Sequence, residues 1–253
     1  MASTRRILIG LPAYNEEIAL PRLLARIAAL PKSPAEAITV VLYNDGSADA
    51  TLAIAREWQA RLPLVILDGV VNKGLGAGLR ALVGHAVANA GDDDVLVVMD
   101  CDDTHDPAQI PDMLARLNDG ADIVIGSRYV RGALVQGVPP LRRATALGAA
   151  ALFKLLHPVR GVWDYTCGYR AYRVGVLKRA ARRYGDSLVA ERGFACMAEL
   201  LLKLNAQGAR FAEIPLQLRY DQKPTATKMD VGGNVRRLLL LLARWRLRGF
   251  DET

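Results

Sequence analysis

Short apolar runs alternate with stretches of helical periodicity through the first half of the chain. Residues 7–11, 38–42, 65–67, 95–99 and 123–125 are compact apolar runs that read as strands. Between them, 17–30, 49–61, 76–89 and 107–118 space their apolar residues as helices do. Such alternation predicts an α/β fold, a Rossmann-like, mostly parallel sheet flanked by helices. The run at 95–99 has five apolar residues in succession, as a strand covered on both faces requires. Pro107 suits the first turn of the helix that follows, because its φ is fixed and its missing N–H is not needed there.

Beyond Arg128 the pattern changes. Residues 130–141 carry glycines and the pair Pro139-Pro140, which predicts a loop. Helices are expected at 142–156 and 193–207, then a strand at 211–218. Residues 221–229 are polar without periodicity and are expected to be mobile, and 231–248 read as a basic terminal helix. On its wheel Val235, Leu238, Leu239, Leu242 and Trp245 share one side, Arg237, Arg244 and Arg248 lie opposite, and Arg246 interrupts the apolar face. Such a helix suits a membrane interface with arginines near anionic headgroups. It equally suits docking on its own core or on a second subunit, so a homo-oligomer stays open.

The 253 residues allow one large domain or two closely joined halves. No apolar run approaches the ~18 residues that a membrane span needs. The N-terminus, with Arg5 and Arg6 before a short apolar run, lacks the pattern of a signal peptide. Three widely spaced cysteines, an odd number, read as free thiols in a reducing compartment, so a cytoplasmic location is expected. A net charge of +7 favours anionic partners. Nucleic acid is the weakest of these, because aromatic residues are only 6% and no recognition module is present.

Open parallel sheets bind ligands beyond the carboxyl ends of their strands. The turns at 12–16, 43–49, 68–78, 100–106 and 126–128 are polar or glycine-rich and should outline one pocket. Asp100 and Asp102 are two apart, so in extended geometry they would point the same way and share one cation. Hard oxygen ligands of this kind suit Mg²⁺ or Mn²⁺; a solvated acidic turn is the plainer alternative. Asp45-Gly46 could form a hairpin turn, but a helix follows it, with Ser47 or Asp49 available as N-cap. A carboxylate or amide there could instead hold a base or ribose. The stretch from Asn72-Lys73-Gly74 to Gly78 fits neither the Walker nor the full Rossmann spacing. It reads best as a glycine-rich start that packs a helix tightly on the sheet, with Lys73 able to approach a ligand. His105 is isolated and notable only for lying beside the carboxylates. The segment Asp164 to Arg170 reads as a capped turn.

Taken in order, Pro12-Ala-Tyr-Asn-Glu-Glu17, Asn44-Asp-Gly-Ser, Asn72-Lys-Gly-Leu-Gly, Met99-Asp-Cys-Asp102 and Gly126-Ser-Arg-Tyr-Val-Arg-Gly132 resemble glycosyltransferase family 2. The nearest branch is the dolichyl-phosphate mannose synthase-like enzymes. The resemblance runs from about Ile7 to Lys228 and includes Asp164, Cys167-Gly168-Tyr169 and Glu213-Ile-Pro215. It implies a GT-A fold at 1–228, with a nucleotide-sugar half (1–127), an acceptor half (128–228) and an amphipathic helix at 229–253. By the same resemblance Pro12, Tyr14, Glu16, Asn44, Asp45, Lys73, Asp100 and Cys101 serve the nucleotide-sugar, and Asp100 and Asp102 hold the metal. Arg128, Arg142 and Lys228 match basic positions for an acceptor phosphate, and the catalytic set is Asp102, Arg128 and Asp164. Departures are Asn44 where aspartate is common, Thr104 for a metal-assisting glutamine, Ala133 in a Gly-Gly pair and Cys167 for serine.

The implied reaction is an inverting, metal-dependent transfer of one sugar from GDP-mannose or a UDP-hexose to a polyprenyl or dolichyl phosphate, at the inner face of a membrane. The alternative is a soluble family 2 enzyme acting on a saccharide or small-molecule hydroxyl, with Asp164 as its base. A phosphate dianion needs little help from a base, whereas a hydroxyl needs a carboxylate within hydrogen-bond reach. A nucleotidyltransferase is disfavoured, because residues 7–17 lack a glycine-rich basic signature. A non-catalytic sugar-nucleotide-binding module is the remaining rival.

Overall fold

The computed structural model describes residues 4–31, 33, 35–222 and 231–248. Its elements in chain order are β1 (Arg5–Ala13), α1 (Leu20–Ala28), β2 (Glu36–Asn44), α2 (Thr51–Trp58), β3 (Leu64–Asp68) and α3 (Leu75–Asn89). Then come β4 (Val95–Val98), α4 (Ile110–Asn118), β5 (Ile123–Ser127), β6 (Leu134–Gln136) and α5 (Pro140–Leu156). The last are β7 (Arg170–Arg173), α6 (Val174–Tyr184), α7 (Ala195–Ala206), β8 (Phe211–Pro215), β9 (Gln217–Arg219) and α8 (Val231–Arg248). Seven strands form one sheet in the order β3-β2-β1-β4-β7-β5-β8, and β6 and β9 form a parallel pair of their own.

The strands expected from the first half all pair in parallel within the sheet, except where β7 intervenes. β4 is buried along its whole length, which explains its unbroken apolar run. Helix α1 buries Leu20, Leu23, Leu24 and Ile27, the i, i+3, i+4, i+7 stripe that faces the sheet. Helix α4 repeats the stripe with Ile110, Met113, Leu114 and Leu117. Pro107 opens a 3-10 turn at Pro107–Gln109 before α4, and the Asp106 side chain accepts the N–H of Ala108 there.

The second half departs from expectation in four places. β7 and α6 have no counterpart in the periodicity reading. β7 runs antiparallel between β4 and β5, in the middle of the sheet. Its two arginines hid it. Arg170 is fully buried and donates to the carbonyls of Cys167, Tyr165 and Met197, so a charged residue occupies a core position. In α6 Val174, Gly175, Val176, Leu177 and Ala180 are buried, Ala181 and Tyr184 are partly buried, and the other four residues are basic. The segment 130–141 is not all loop, because β6 lies within it and α5 already starts at Pro140. The strand expected at 211–218 is two strands: after Pro215, Leu216 donates its N–H to Ser127, and the chain then leaves the main sheet to pair with β6.

The terminal helix spans the expected residues but is turned differently. Leu238, Leu241, Leu242 and Trp245 are buried, whereas Leu239 and Leu240 are 48% and 52% exposed. The buried stripe packs on α5 and α7. Among the described residues no helix is long and apolar enough to cross a membrane.

Candidate active site

A cavity of about 710 Å³ opens across the carboxyl edge of the sheet, where β1, β2, β4 and β5 end. Pro12, Tyr14, Glu16, Asp45, Asp100, Cys101, Asp102 and Arg128 all line it. The two central carboxylates do not arrive there by strand geometry. β4 stops at Val98, and residues 101–103 form a bend with Asp103 at φ +59°. Arg26 of α1 pins that bend, its guanidinium contacting Asp103 at 2.6 Å and Asp106 at 2.7 Å. Asp102 accepts hydrogen bonds at Oδ1 from the amide and hydroxyl of Thr104, at 3.2 and 2.6 Å. Gly168 leaves room for Asp100, since a Cβ there would stand 3.1 Å from its Oδ1. Burial drives the Cys101 thiol well above its ordinary pKa, and the charges of Glu16, Asp102, Asp100 and Asp103 push it further. Four carboxylates thus crowd around one turn. Among the described residues no group of three or more His, Cys, Asp or Glu side chains forms a complete metal cage. Two carboxylates with the rest of the shell left to phosphate and water are the donor set Mg²⁺ ordinarily uses.

The side of the cavity beneath β2 is a turn locked by hydrogen bonds. Asp45 receives the N–H groups of Lys73 and Gly74, both at 2.8 Å. Burial raises the pKa of Asp45, and those two amides pull against the rise. Gly46 lies at φ +67°, and a Cβ there would meet the Asn72 amide at 2.7 Å, so the two turns touch backbone to backbone. Ser47 accepts from the amide of Asn15, while Asp49 accepts from the Thr51 amide at the start of α2. Asn44 is buried behind the wall, donating to Asp68 at 2.8 Å and accepting from the Ser47 amide. Lys73 contributes its backbone, and its neighbours Asn72 and Gly74 line the cavity while its side chain does not. Gly76 donates its N–H to the carbonyl of Arg192 at 2.7 Å, and a Cβ there would overlap the carbonyl of Glu191. That loop is itself anchored from below: Glu199 accepts the amides of Ala190 and Glu191, and its other oxygen meets Lys203 at 2.7 Å in a buried pair.

The opposite side is basic, then apolar. Arg128 holds Asp164 in a two-pronged contact, Nε to Oδ2 at 2.7 Å and Nη2 to Oδ1 at 2.6 Å, and Nη2 also donates to Thr166. Asp164 additionally accepts the amides of Arg128, Thr166 and Cys167. Burial would raise the Asp164 pKa, but the charge and hydrogen bonds of Arg128 hold it below the usual carboxylate range. Asp164 is fully buried behind Arg128 and is not on the cavity wall. Past Arg128, the lining runs through Arg143, Val135, Val138, Leu147, Leu218 and Leu238 toward α5 and α8. Arg142 lies in α5, its side chain outside the described set, and Lys228 lies outside the described residues. Sequence reasoning missed Phe194 and the apolar arm of the cavity, whose residues come from four separate elements and share no local pattern. Arg143, beside the expected Arg142, was within its reach.

A mostly parallel sheet with one inserted antiparallel strand, and a carboxylate turn facing a cavity at the strand ends, defines the GT-A class of fold. Glucosyl-3-phosphoglycerate synthase from Mycobacterium tuberculosis, solved with Mg²⁺ and UDP, has this architecture, with a TM-score of 0.68 and 20% identity over 96% of this chain and 79% of that one. Polyprenol monophosphomannose synthase of Mycolicibacterium smegmatis is 32% identical over 97% of this chain and 89% of its own length. Undecaprenyl-phosphate mannosyltransferase of Micrococcus luteus is 31% identical over 96% of this chain and 94% of its own. The model for glycosyl transferase family 2 matches residues 8–180, and the chain belongs to that family.

Proposed function

We propose that the chain transfers a hexose, with inversion, from a nucleoside diphosphate sugar such as GDP-mannose or a UDP-hexose to a polyprenyl phosphate. The observation that carries this is the two-ended cavity, acidic toward β1, β2 and β4 and then basic and apolar toward α5 and α8. A phosphate on an isoprenoid chain matches the second end, the head toward Arg128 and Arg143 and the chain along Val135, Val138, Leu147 and Leu238. The names of the relatives at 31–32% identity agree with that acceptor class.

Asp100 and Asp102 would hold Mg²⁺ or Mn²⁺, which supplies charge neutralisation for a leaving diphosphate. The chain's own residues do the rest. Pro12, Tyr14 and the Asp45 turn seat the nucleoside, and the locked 73–74 backbone fixes that wall. Arg128 stabilises phosphate charge, and Asp164 fixes its orientation, so the barrier falls through preorganised electrostatics. A phosphate with a second pKa of ~6 is largely dianionic at neutral pH and attacks without a general base. That suits a site where the carboxylate nearest Arg128 is wholly engaged.

The acceptor must be reached in a bilayer. Leu155 of α5 is 77% exposed, and Leu147, Leu239 and Leu240 are also exposed, with the basic Arg143 and Arg237 on the same two helices. Exposed apolar and basic residues on two helices are the combination that an anionic membrane interface would take up. A screen of purified protein with Mn²⁺, labelled GDP- and UDP-sugars and a polyprenyl phosphate tests the proposal. Label extracted into the organic phase is expected; label transferred only to water-soluble hydroxyl acceptors would refute it.

A further inference from the structure

We infer that His105 is a positioning residue for Asp100, holding that carboxylate in the attitude in which it meets a divalent cation. The inference rests on the reading of Asp100 as a metal ligand. Both ring nitrogens of His105 address the same residue. Nδ1 accepts the backbone N–H of Asp100 at 3.1 Å, which leaves the ring proton on Nε2. Nε2 lies 3.9 Å from Oδ2 of Asp100, too far for a direct hydrogen bond but within range of a favourable electrostatic contact.

The ring has little freedom to do anything else. It is buried and stacks on Tyr169, with centroids 5.0 Å apart and planes 17° from parallel. The Tyr169 hydroxyl donates to the carbonyl of Asp106 at 2.8 Å, which fixes the stacking partner to the same turn. The backbone of His105 bridges to Leu218 of β9, and Arg219 donates its N–H to the Thr104 carbonyl at 3.0 Å. Asp100 is therefore held at its backbone and faced at its carboxylate by one immobilised ring, with the bare Cα of Gly168 on the other side. A long flexible loop could not hold a carboxylate so well, and partners that orient metal ligands commonly control affinity by an order of magnitude or more.

The test uses Mn²⁺ as probe, titrated by electron paramagnetic resonance with UDP and separately with GDP, alongside thermal melting. His105→Phe keeps the ring and the stack but removes both nitrogens; His105→Asn keeps an acceptor for the Asp100 amide. The Phe variant should bind Mn²⁺ at least about tenfold more weakly and the Asn variant fall between it and the parent. A purely packing role would lower the melting temperature and leave Mn²⁺ affinity within about twofold, which would overturn the inference. Should the Phe variant not fold, the Asn variant decides by the same criterion. Failure of the unaltered protein to bind Mn²⁺ with either nucleotide would remove the metal assignment itself, and this role with it. Parent binding with equal binding by the variants removes only the role of His105.

Discussion

Asp102 and Asp164 are both buried carboxylates on adjoining turns, yet their surroundings assign them different work. Asp102 lines the cavity with one oxygen occupied by Thr104. Asp102→Asn keeps an acceptor for Thr104 while removing the charge, so melting should shift by only a few degrees and metal-dependent transfer should vanish. Near-normal turnover with Mg²⁺ or Mn²⁺ would remove the residue from the metal site. Asp164→Asn instead strands the Arg128 charge, and breaking such a pair costs about 3–5 kcal/mol, readable as a lower urea midpoint. The pH dependence follows from its depressed pKa. Its stabilising contribution is complete above the ordinary carboxylate range and is lost as pH falls through the lowered value. The parent should thus lose stability at acid pH along a branch that the Asn variant lacks. These assignments were only partly readable from residue order. The spacing of Asp100 and Asp102 pointed to a shared site, but a bend pinned by Arg26, not an extended strand, brings them there. No spacing could show that Asp164 spends both its oxygens on Arg128 and nearby amides.

At the scale of elements, the glycine-rich start of α3 fits the loop before α7 with almost no clearance. Gly76→Ala would force a methyl onto the Glu191 carbonyl, so loop and helix must separate. Overpacking of this kind costs about 1–3 kcal/mol. A raised KM for the sugar nucleotide, larger than any loss in kcat, is the expected kinetic outcome; unchanged steady-state constants would show that the contact is incidental. The glycine run was readable as a close-packing device, whereas its partner loop was not, because nothing local marks residues 190–193 as the other half of a contact. The same limit explains β7. A strand whose core position is an arginine satisfied by three carbonyls carries no apolar signature, although α1, α4 and β4 did, since they bury ordinary aliphatic faces.

At the scale of the whole molecule, the exposed leucines of α5 and α8 lie on the same two helices as Leu147 and Leu238, which line the apolar arm of the cavity. Replacing Leu239 and Leu240 with serine should weaken co-sedimentation with anionic vesicles by about tenfold or more, given ~1.5 kcal/mol for burying each leucine. Transfer to a short-chain, water-soluble polyprenyl phosphate should stay at the parent rate, and equal vesicle binding by both proteins would count against the surface. The wheel drawn from sequence put Leu239 on the apolar face with Leu238, Leu242 and Trp245 and left out Leu241, because it could not know which side α7 would cover. The place of β7 in the sheet has a consequence for how the chain is made. Among the described residues β5 pairs only with β7 and β8, and both are encoded more than forty residues after it. On the ribosome, therefore, the β5 segment has no hydrogen-bonding neighbour in the sheet until the chain has been translated past Arg173.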